Sequence, residues 1–462
     1  MLREPALPAT VGDESGKILH FLRGERDRGC GGAEPEGYED AVAYAIGRYE
    51  RGLSHYVAAL ERIGFAEKGE ALDVGSGAGH WCFAFLKRGR RAVGIDRSPA
   101  FVELAARIAR EIGLADRVSF RTERAEEAQL PAGAFDCAWS HSVLMYTDQE
   151  AVLRNVADAL AKGGGFYCGY TGEGSRLHTL QVSLAGETEL LSSRLNTFLD
   201  SHLHRCGVFK PGNLTRMLRL EDLLRACAVF GMEYVGRPQV QDGRPEYLGL
   251  PATFDFVVRK LRDRDKAKSQ LLRGEAIEKT WLEDLDRIAR SGCPGLVCDV
   301  CRAVDPDPAE EEERRQVYAR ALILAGRADS EERWRIFEDA ACPLPDHIMG
   351  LYWHARGDHA AALGAYRNMP REHPDRAFLQ GACLLQMKRF GWARRVFSEA
   401  IERGCGAPRE WIGLVAAHHF GDKRDAAAAA FRGFVESRRK AGVPEAVIEM
   451  ELARLDAGRA SQ

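Results

Sequence analysis

The run ALDVGSGAGHW (71–81), followed by AVGID (92–96), constrains this chain more than any other feature. An apolar strand enters a turn holding Gly75, Ser76, Gly77 and Gly79. Glycines there let a ligand approach backbone that side chains would otherwise block. A helix opening after the turn would present its unpaired N–H groups to that ligand. Asp96 stands 21 residues after Gly75, at the end of the next expected strand. A carboxylate in that place can accept both hydroxyl protons of a ribose. The segment therefore predicts a nucleoside-bearing ligand at the carboxyl edge of a parallel sheet.

Two ligand classes share this logic. A dinucleotide site of the form G-x-G-x-x-G needs a third glycine where this chain has His80. Here Asp73 also stands two residues before Gly75. A carboxylate beside the turn repels a pyrophosphate and favours a cationic end, such as an amino acid's ammonium group. The pattern acidic-x-G-x-G-x-G resembles the class I S-adenosylmethionine-dependent methyltransferase family over roughly residues 40–260. LAKGGGFY (160–167) looks like that family's turn before the fifth strand. The resemblance implies an α/β Rossmann-like domain whose seven-stranded, mostly parallel sheet ends in an antiparallel hairpin, with S-adenosylmethionine as cofactor. It implies Asp73, Gly75, Ser76, Gly77 and Gly79 around the methionine part, Asp96 and Arg97 at the ribose, and Ser140 near the donor. The adenine would lie at the turn of Arg124, Ala125 and Glu126, which is longer than the family's usual turn.

Periodicity supplies the frame. Tyr38–Ile63 reads as one helix, with apolar residues at spacings of three, four and seven. Strands are expected at 71–74, 92–96, 118–121, 135–139 and 166–170, with helices at 81–88, 101–112 and 150–161. Gly163–Gly165 would close the last of these helices. Such alternation indicates a parallel sheet with helices on both faces. Two later strands, 232–240 and 253–258, suit an antiparallel edge pair. Residues 1–36 read as a flexible arm, 37–260 as the α/β domain, 261–275 as a charged linker, and 276–462 as an all-α domain.

Methyl transfer is an in-line displacement that needs an aligned lone pair and often a base. In the family the acceptor lies near the end of the fourth strand, here FDCAWSHSVLMYT (135–147). Ser140, His141 and Tyr146 are the catalytic candidates. His141 is the candidate base, because an unperturbed imidazole titrates near pH ~6.5. Residues 171–230 would form a lid, from which Arg176, His178, His202, His204 and Arg205, with Tyr170 before it, could bind a polar acceptor. His202 and His204 are two apart, which argues against joint metal ligation on a helix.

In the second half, GDHAAALGAY (357–366), KRFGWARRVF (388–397) and DKRDAAAAAF (422–431) resemble one another. Their aromatic ends, Tyr366, Phe397 and Phe431, are 31 and 34 residues apart, and Ala362, Ala393 and Ala427 stand four residues earlier. That spacing resembles tetratricopeptide repeats over roughly 345–440, stacked helix pairs that bury their seams against neighbours. Cys293, Cys298 and Cys301, with Cys342 or Cys405 as a remote fourth, have a zinc-like spacing, but Val and Leu between them favour packed thiols. No metal is assigned.

The net charge of −3 offers no support for a nucleic-acid partner. No apolar run approaches the ~20 residues of a bilayer span, and the first residues lack a secretory pattern. The twelve cysteines read as reduced thiols, so the cytoplasm is expected. The primary expectation is methyl transfer to an O or N atom of a small molecule or glycan, with the repeats serving dimerisation or substrate delivery. The alternatives are a protein or peptide acceptor recruited by the repeats, a non-catalytic scaffold, or a dehydrogenase, the last disfavoured by His80.

Overall fold

The computed structural model describes residues 14–28, 34–65, 69–186, 190–208, 217–238, 246–261, 270–276, 280–304, 308–327, 336–337, 343–404 and 407–460. The chain forms two compact units: Met1–Tyr170 with Cys227–Gln241 and Asp255–Lys266, and Thr171–Ala226 with Asp242–Phe254 and Ala267–Gln462.

The first unit begins with three helices, α1 (Glu14–Arg28), α2 (Tyr38–Tyr49) and α3 (Leu53–Ile63). Then come β1 (Glu70–Val74), α4 (His80–Lys87), β2 (Arg91–Asp96), α5 (Pro99–Glu111), β3 (Val118–Thr122), β4 (Phe135–His141), α6 (Gln149–Ala159) and β5 (Leu160–Thr171). The chain returns later with β6 (Met232–Gly236) and β7 (Thr253–Lys260). These strands form one seven-stranded sheet in the order β3-β2-β1-β4-β5-β7-β6. β1 through β5 pair in parallel, and β6 pairs antiparallel with β7. The Rossmann-like sheet with a terminal antiparallel pair is the one expected.

Local chemistry explains the elements. β1 and β4 are buried along most of their length, as strands covered on both faces are. Ser98 caps α5 by accepting the Phe101 N–H, and Pro99 supplies a fixed first-turn φ. Ala71, Cys137, Trp139 and Tyr167 project from the sheet into one core with α1 to α5. The β4–α6–β5 crossover travels the opposite way along the sheet from β1–α4–β2, so right-handedness puts α6 on the other face.

Four expectations need correction here. Tyr38–Ile63 is two helices, because Gly52 adopts φ +78 between them. The arm expected to be loose contains α1, whose Ile18 and Leu22 are fully buried; a short apolar pair sufficed to dock a polar helix. Residues 1–13 and 29–33 of that arm lie outside the described residues. Gly163–Gly165 do not close a helix: α6 ends at Ala159, and the glycines lie within β5. There Phe135 pairs with Leu160 but Cys137 with Gly165, so the intervening residues bulge from the ladder. Finally, Thr171–Ala226, expected inside the α/β domain, groups with the C-terminal helices. Part of the expected linker, 262–269, lies outside the described residues.

The second unit contains α7 (Glu173–Ala185) and α8 (Leu191–Cys206), and α9 (Leu220–Val229) runs from it back into the first unit. The helices α10 (Trp281–Arg290), α11 (Pro294–Ala303), α12 (Glu311–Leu324), α13 (Asp346–Ala355), α14 (His359–Asn368), α15 (Arg376–Gln386), α16 (Phe390–Glu402), α17 (Pro408–His419), α18 (Arg424–Ser437) and α19 (Glu445–Ala460) follow. From α13 to α18 each helix packs against the next. Glycines make the seams: a Cβ on Gly350 would lie 2.3 Å from the Tyr366 ring, and Cβ atoms on Gly381 and Gly413 would lie 2.2 and 2.4 Å from Phe397 Cζ. Cys293, Cys298 and Cys301 are buried on or beside α11. Cys342 and Cys405 lie outside the described residues. Among the described residues, no helix is long and apolar enough to cross a membrane.

Candidate functional site

The turn after β1 is pinned from below. Gly75 and Ser76 both donate their backbone N–H to Ile95 O, at 2.8 and 3.0 Å, and Gly79 donates to Ser76 O at 2.9 Å. Gly75, Gly77 and Gly79 all have positive φ. Their surroundings divide their roles. A Cβ on Gly75 would lie 2.2 Å from Val143 Cγ2, and one on Gly79 2.8 Å from Phe120 Cζ. Above Gly77 the nearest atom is Tyr44 Cε1, at 3.9 Å. Gly77 is thus the glycine that faces open space, while the other two admit close packing.

Two carboxylates stand near the turn. Asp96 Oδ2 accepts the Gly77 N–H and Oδ1 accepts the Ser98 N–H, both at 2.9 Å. Each oxygen keeps a further lone pair for a hydroxyl donor. Asp73 is almost wholly buried, and the Cys82 thiol lies 3.5 Å from its Oδ2. Burial pushes the Asp73 carboxyl up to about 7; the bond from Cys82 opposes this and the charge of Asp96 adds to it. A carboxyl so placed ionises readily once a cation arrives.

α2 supplies a wall that sequence reasoning missed. Tyr49 Oη donates to Ala78 O at 2.7 Å, bracing the turn from 29 residues upstream. Tyr44 stands over Gly77, edge-on to Phe101 and under the Arg48 guanidinium. His80 packs its ring against Tyr56 and Trp81, and burial keeps its imidazole well below its usual value and therefore neutral.

The turn after β3 is held by Asn155, whose Nδ2 donates to Ala125 O at 3.0 Å and Glu126 O at 3.1 Å. Arg124 Nη2 pairs with Glu126 Oε1 at 2.5 Å. The Glu123 N–H donates to Asp96 O at 3.0 Å, so this turn and the Asp96 turn adjoin. Arg97 is exposed beside them.

β4 extends two residues further than expected and carries Ser140 and His141 as its last residues. Ser140 pairs in register with Val74, beside the turn. It is fully buried, and its Oγ has no hydrogen-bond partner, as is true of Ser76 Oγ. His141 is half-buried, with its ring 5.9 Å from that of Trp81. Ser142 turns the chain at φ +59, which brings Val143 onto Gly75. Tyr146 is exposed in a short 3-10 turn, Leu144–Tyr146.

The remaining acceptor candidates lie on other elements. Tyr170 is buried in β5, and its hydroxyl accepts from Gln149 Nε2 at 3.0 Å. Arg176, His178, His202, His204 and Arg205 belong to the second unit. Within it, Glu173 lies 3.3 Å from His202 Nε2 and 3.4 Å from Arg205 Nη1. His202 and His204 are both buried, and the His178 ring meets Tyr247 edge-on. A cleft of about 420 Å³, lined by Arg62, Phe65, Asp136, Gly163 and Arg259 among others, opens at the opposite ends of the strands from the glycine turn.

The orphaned Ser76 and Ser140 hydroxyls, the open face of Gly77 and the two carboxylates fit a polar, cationic nucleoside such as S-adenosylmethionine. Asp96 would hold the ribose and Asp73 the cationic end.

Residues 71–164 match the family model of the methyltransferase domain. An uncharacterised methyltransferase of Bacillus subtilis, YcgJ, is 32% identical over 96 residues, covering 21% of this chain and 38% of that protein. Erythromycin 3''-O-methyltransferase of Saccharopolyspora erythraea is 32% identical over 107 residues, covering 22% of this chain and 35% of that protein. The chain thus spans little more than a third of the length of these two relatives. Among solved structures, geranyl diphosphate C-methyltransferase from Streptomyces coelicolor is 18% identical, with a TM-score of 0.34, over 55% of this chain and 100% of that one. Residues 71–164 are thus similar in sequence to a methyltransferase domain.

Proposed function

We propose that the whole protein is an S-adenosylmethionine-dependent methyltransferase acting on an O or N atom of a small molecule or glycan. The observation that carries this reading is the open face of Gly77 beside Asp96, which is bonded to the turn itself, with the buried Asp73 carboxyl, raised to about 7, at the end of the strand that enters the turn. When bound, the cofactor supplies an electrophilic methyl group on a sulfonium. The open backbone face of Gly77 and the oxygens of Asp96 orient it, with Arg97 beside the ribose. Asp73 balances its charge, and the turn at Ala125–Glu126 borders its base. Ser140 Oγ reaches the edge of the same space. His141, at the end of β4, takes the acceptor's proton as the new bond forms, and Tyr146 lines the acceptor side.

The 32% identity to an enzyme named for methylating an oxygen of erythromycin supports an oxygen acceptor on a small molecule. The successive helices α13 to α18 read as tetratricopeptide-like pairs serving dimerisation or delivery of the acceptor, to which Arg176, His178, His202 and His204 would contribute. A peptide acceptor is the second reading, favoured by Trp392 on α16, which is 61% exposed with Arg395 over its ring. Incubation of the full chain with methyl-labelled cofactor, a panel of hydroxylated and amine small molecules and glycans, and a peptide library tests both. Label in a small molecule or glycan supports the first reading, label in peptides selects the second, and no label in any acceptor overturns both.

A further inference from the structure

The three ligand-type side chains of His354, His359 and Cys383 converge within the helical unit, their donor atoms all within 4.8 Å of one another. His354 is the penultimate residue of α13, three residues separate the two helices, and His359 opens α14. That H-x4-H spacing falls within the range of histidine pairs in structural zinc sites. Cys383 comes from α15, the first helix of the next pair. We propose that these residues form a metal site for a thiolate-preferring ion of the zinc class, which ties the α13–α14 pair to α15.

The geometry is close to what such an ion requires. Cys383 Sγ lies 3.5 Å from His354 Nδ1. Bonds of about 2.3 Å to sulfur and about 2.0–2.1 Å to nitrogen at a tetrahedral angle place those two atoms roughly 3.5 Å apart. The two atoms therefore need not move apart to admit the ion; the third donor closes by an ångström or so. One thiolate with two imidazoles suits zinc rather than magnesium or calcium, which take oxygen donors. Cys383 and His354 are almost wholly buried, whereas His359 is partly exposed and gives the ion a way in. Tyr366 Oη lies 3.4 Å from His354 Nδ1, and the fourth coordination position is left for water or an added ligand. On binding, the Cys383 S–H bond breaks, a sulfur–metal bond forms, and the proton leaves to solvent with no change of oxidation state.

This inference is independent of methyl transfer, and its readout is spectroscopic. The full chain is stripped with a chelator and titrated with cobalt(II) alone. The expected result is a saturable sulfur-to-cobalt charge-transfer band with tetrahedral d–d bands, both erased by zinc. Cys383→Ser should abolish the charge-transfer band. His359→Asn, at the partly exposed position, should weaken cobalt binding by about tenfold or more with an unchanged circular dichroism spectrum. Absence of the band in the folded wild-type chain, or unchanged cobalt affinity in His359→Asn, would overturn the proposal. The second variant decides the matter even where Cys383→Ser folds poorly.

Discussion

The Cys82 thiol and the Asp73 carboxylate meet at 3.5 Å beneath the glycine turn, one from α4 and the other from β1. Burial raises the Asp73 carboxyl to about 7, and this thiol is the neighbour that opposes the rise. A bound cation favours the ionised carboxyl, so cofactor affinity should increase as pH rises through about 7 and then level off. Cys82→Ala removes the opposing donor and should move that rise to higher pH. Calorimetric titration below and above neutrality checks both shifts.

The same carboxyl carries a stability cost in the ligand-free protein. Its folded-state value lies above the ordinary 3.8, so the protonated form is favoured by folding. The associated stability is complete below the ordinary value and is lost as pH rises from there through about 7. Asp73→Asn removes this dependence. It should raise the melting temperature of the ligand-free protein by several degrees above pH 7 while weakening cofactor binding. Paired melting curves below and above neutrality, with the cofactor titrated in parallel, test the trade.

Gly75 and Gly77 should fail differently. Gly75→Ala combines a left-handed backbone with a clash against Val143, and should cost about 2–5 kcal/mol of stability. Val143→Ala in the same chain should recover part of it. Gly77→Ala meets no atom closer than 3.9 Å, so its stability cost should be about 1–2 kcal/mol, with cofactor binding lost out of proportion. Denaturant melts and binding isotherms separate the two.

In the helical unit, Phe397 fills the space that Gly381 and Gly413 leave open. Phe397→Ala should cost about 3–5 kcal/mol. Gly413→Ala should also destabilise, and Phe397→Leu should relieve that second change more than it harms the wild type. A double-mutant cycle of unfolding free energies measures the coupling.

The glycine turn, its two acids and the five parallel strands were legible because each rests on residues close in sequence: a turn needs its own glycines, and a strand its own alternation. The parts that were not legible depend on distant partners. Tyr49 acts on Ala78, and Val143 on Gly75, across loops that no local pattern announces. Gly52, one glycine inside an apolar period, does not by itself reveal its positive φ. The grouping of Thr171–Ala226 with the C-terminal helices was hidden for a related reason. The apolar face of α8, with Leu195, Phe198 and Leu203 buried, shows that the helix docks but not on what. Tyr366 and Phe397 fill space beside glycines of neighbouring helices, and those glycines stand out only once the helices are paired.

Isothermal titration of the purified full chain with S-adenosylhomocysteine, beside Asp96→Asn, tests the cofactor site most directly. Saturable binding at one site per chain is expected, weakened about tenfold or more in the variant with an unchanged fold, since a charge-assisted bond becomes a neutral one. A folded wild-type chain that takes up no S-adenosylhomocysteine, or a variant that binds it equally well, would contradict the assignment of this turn.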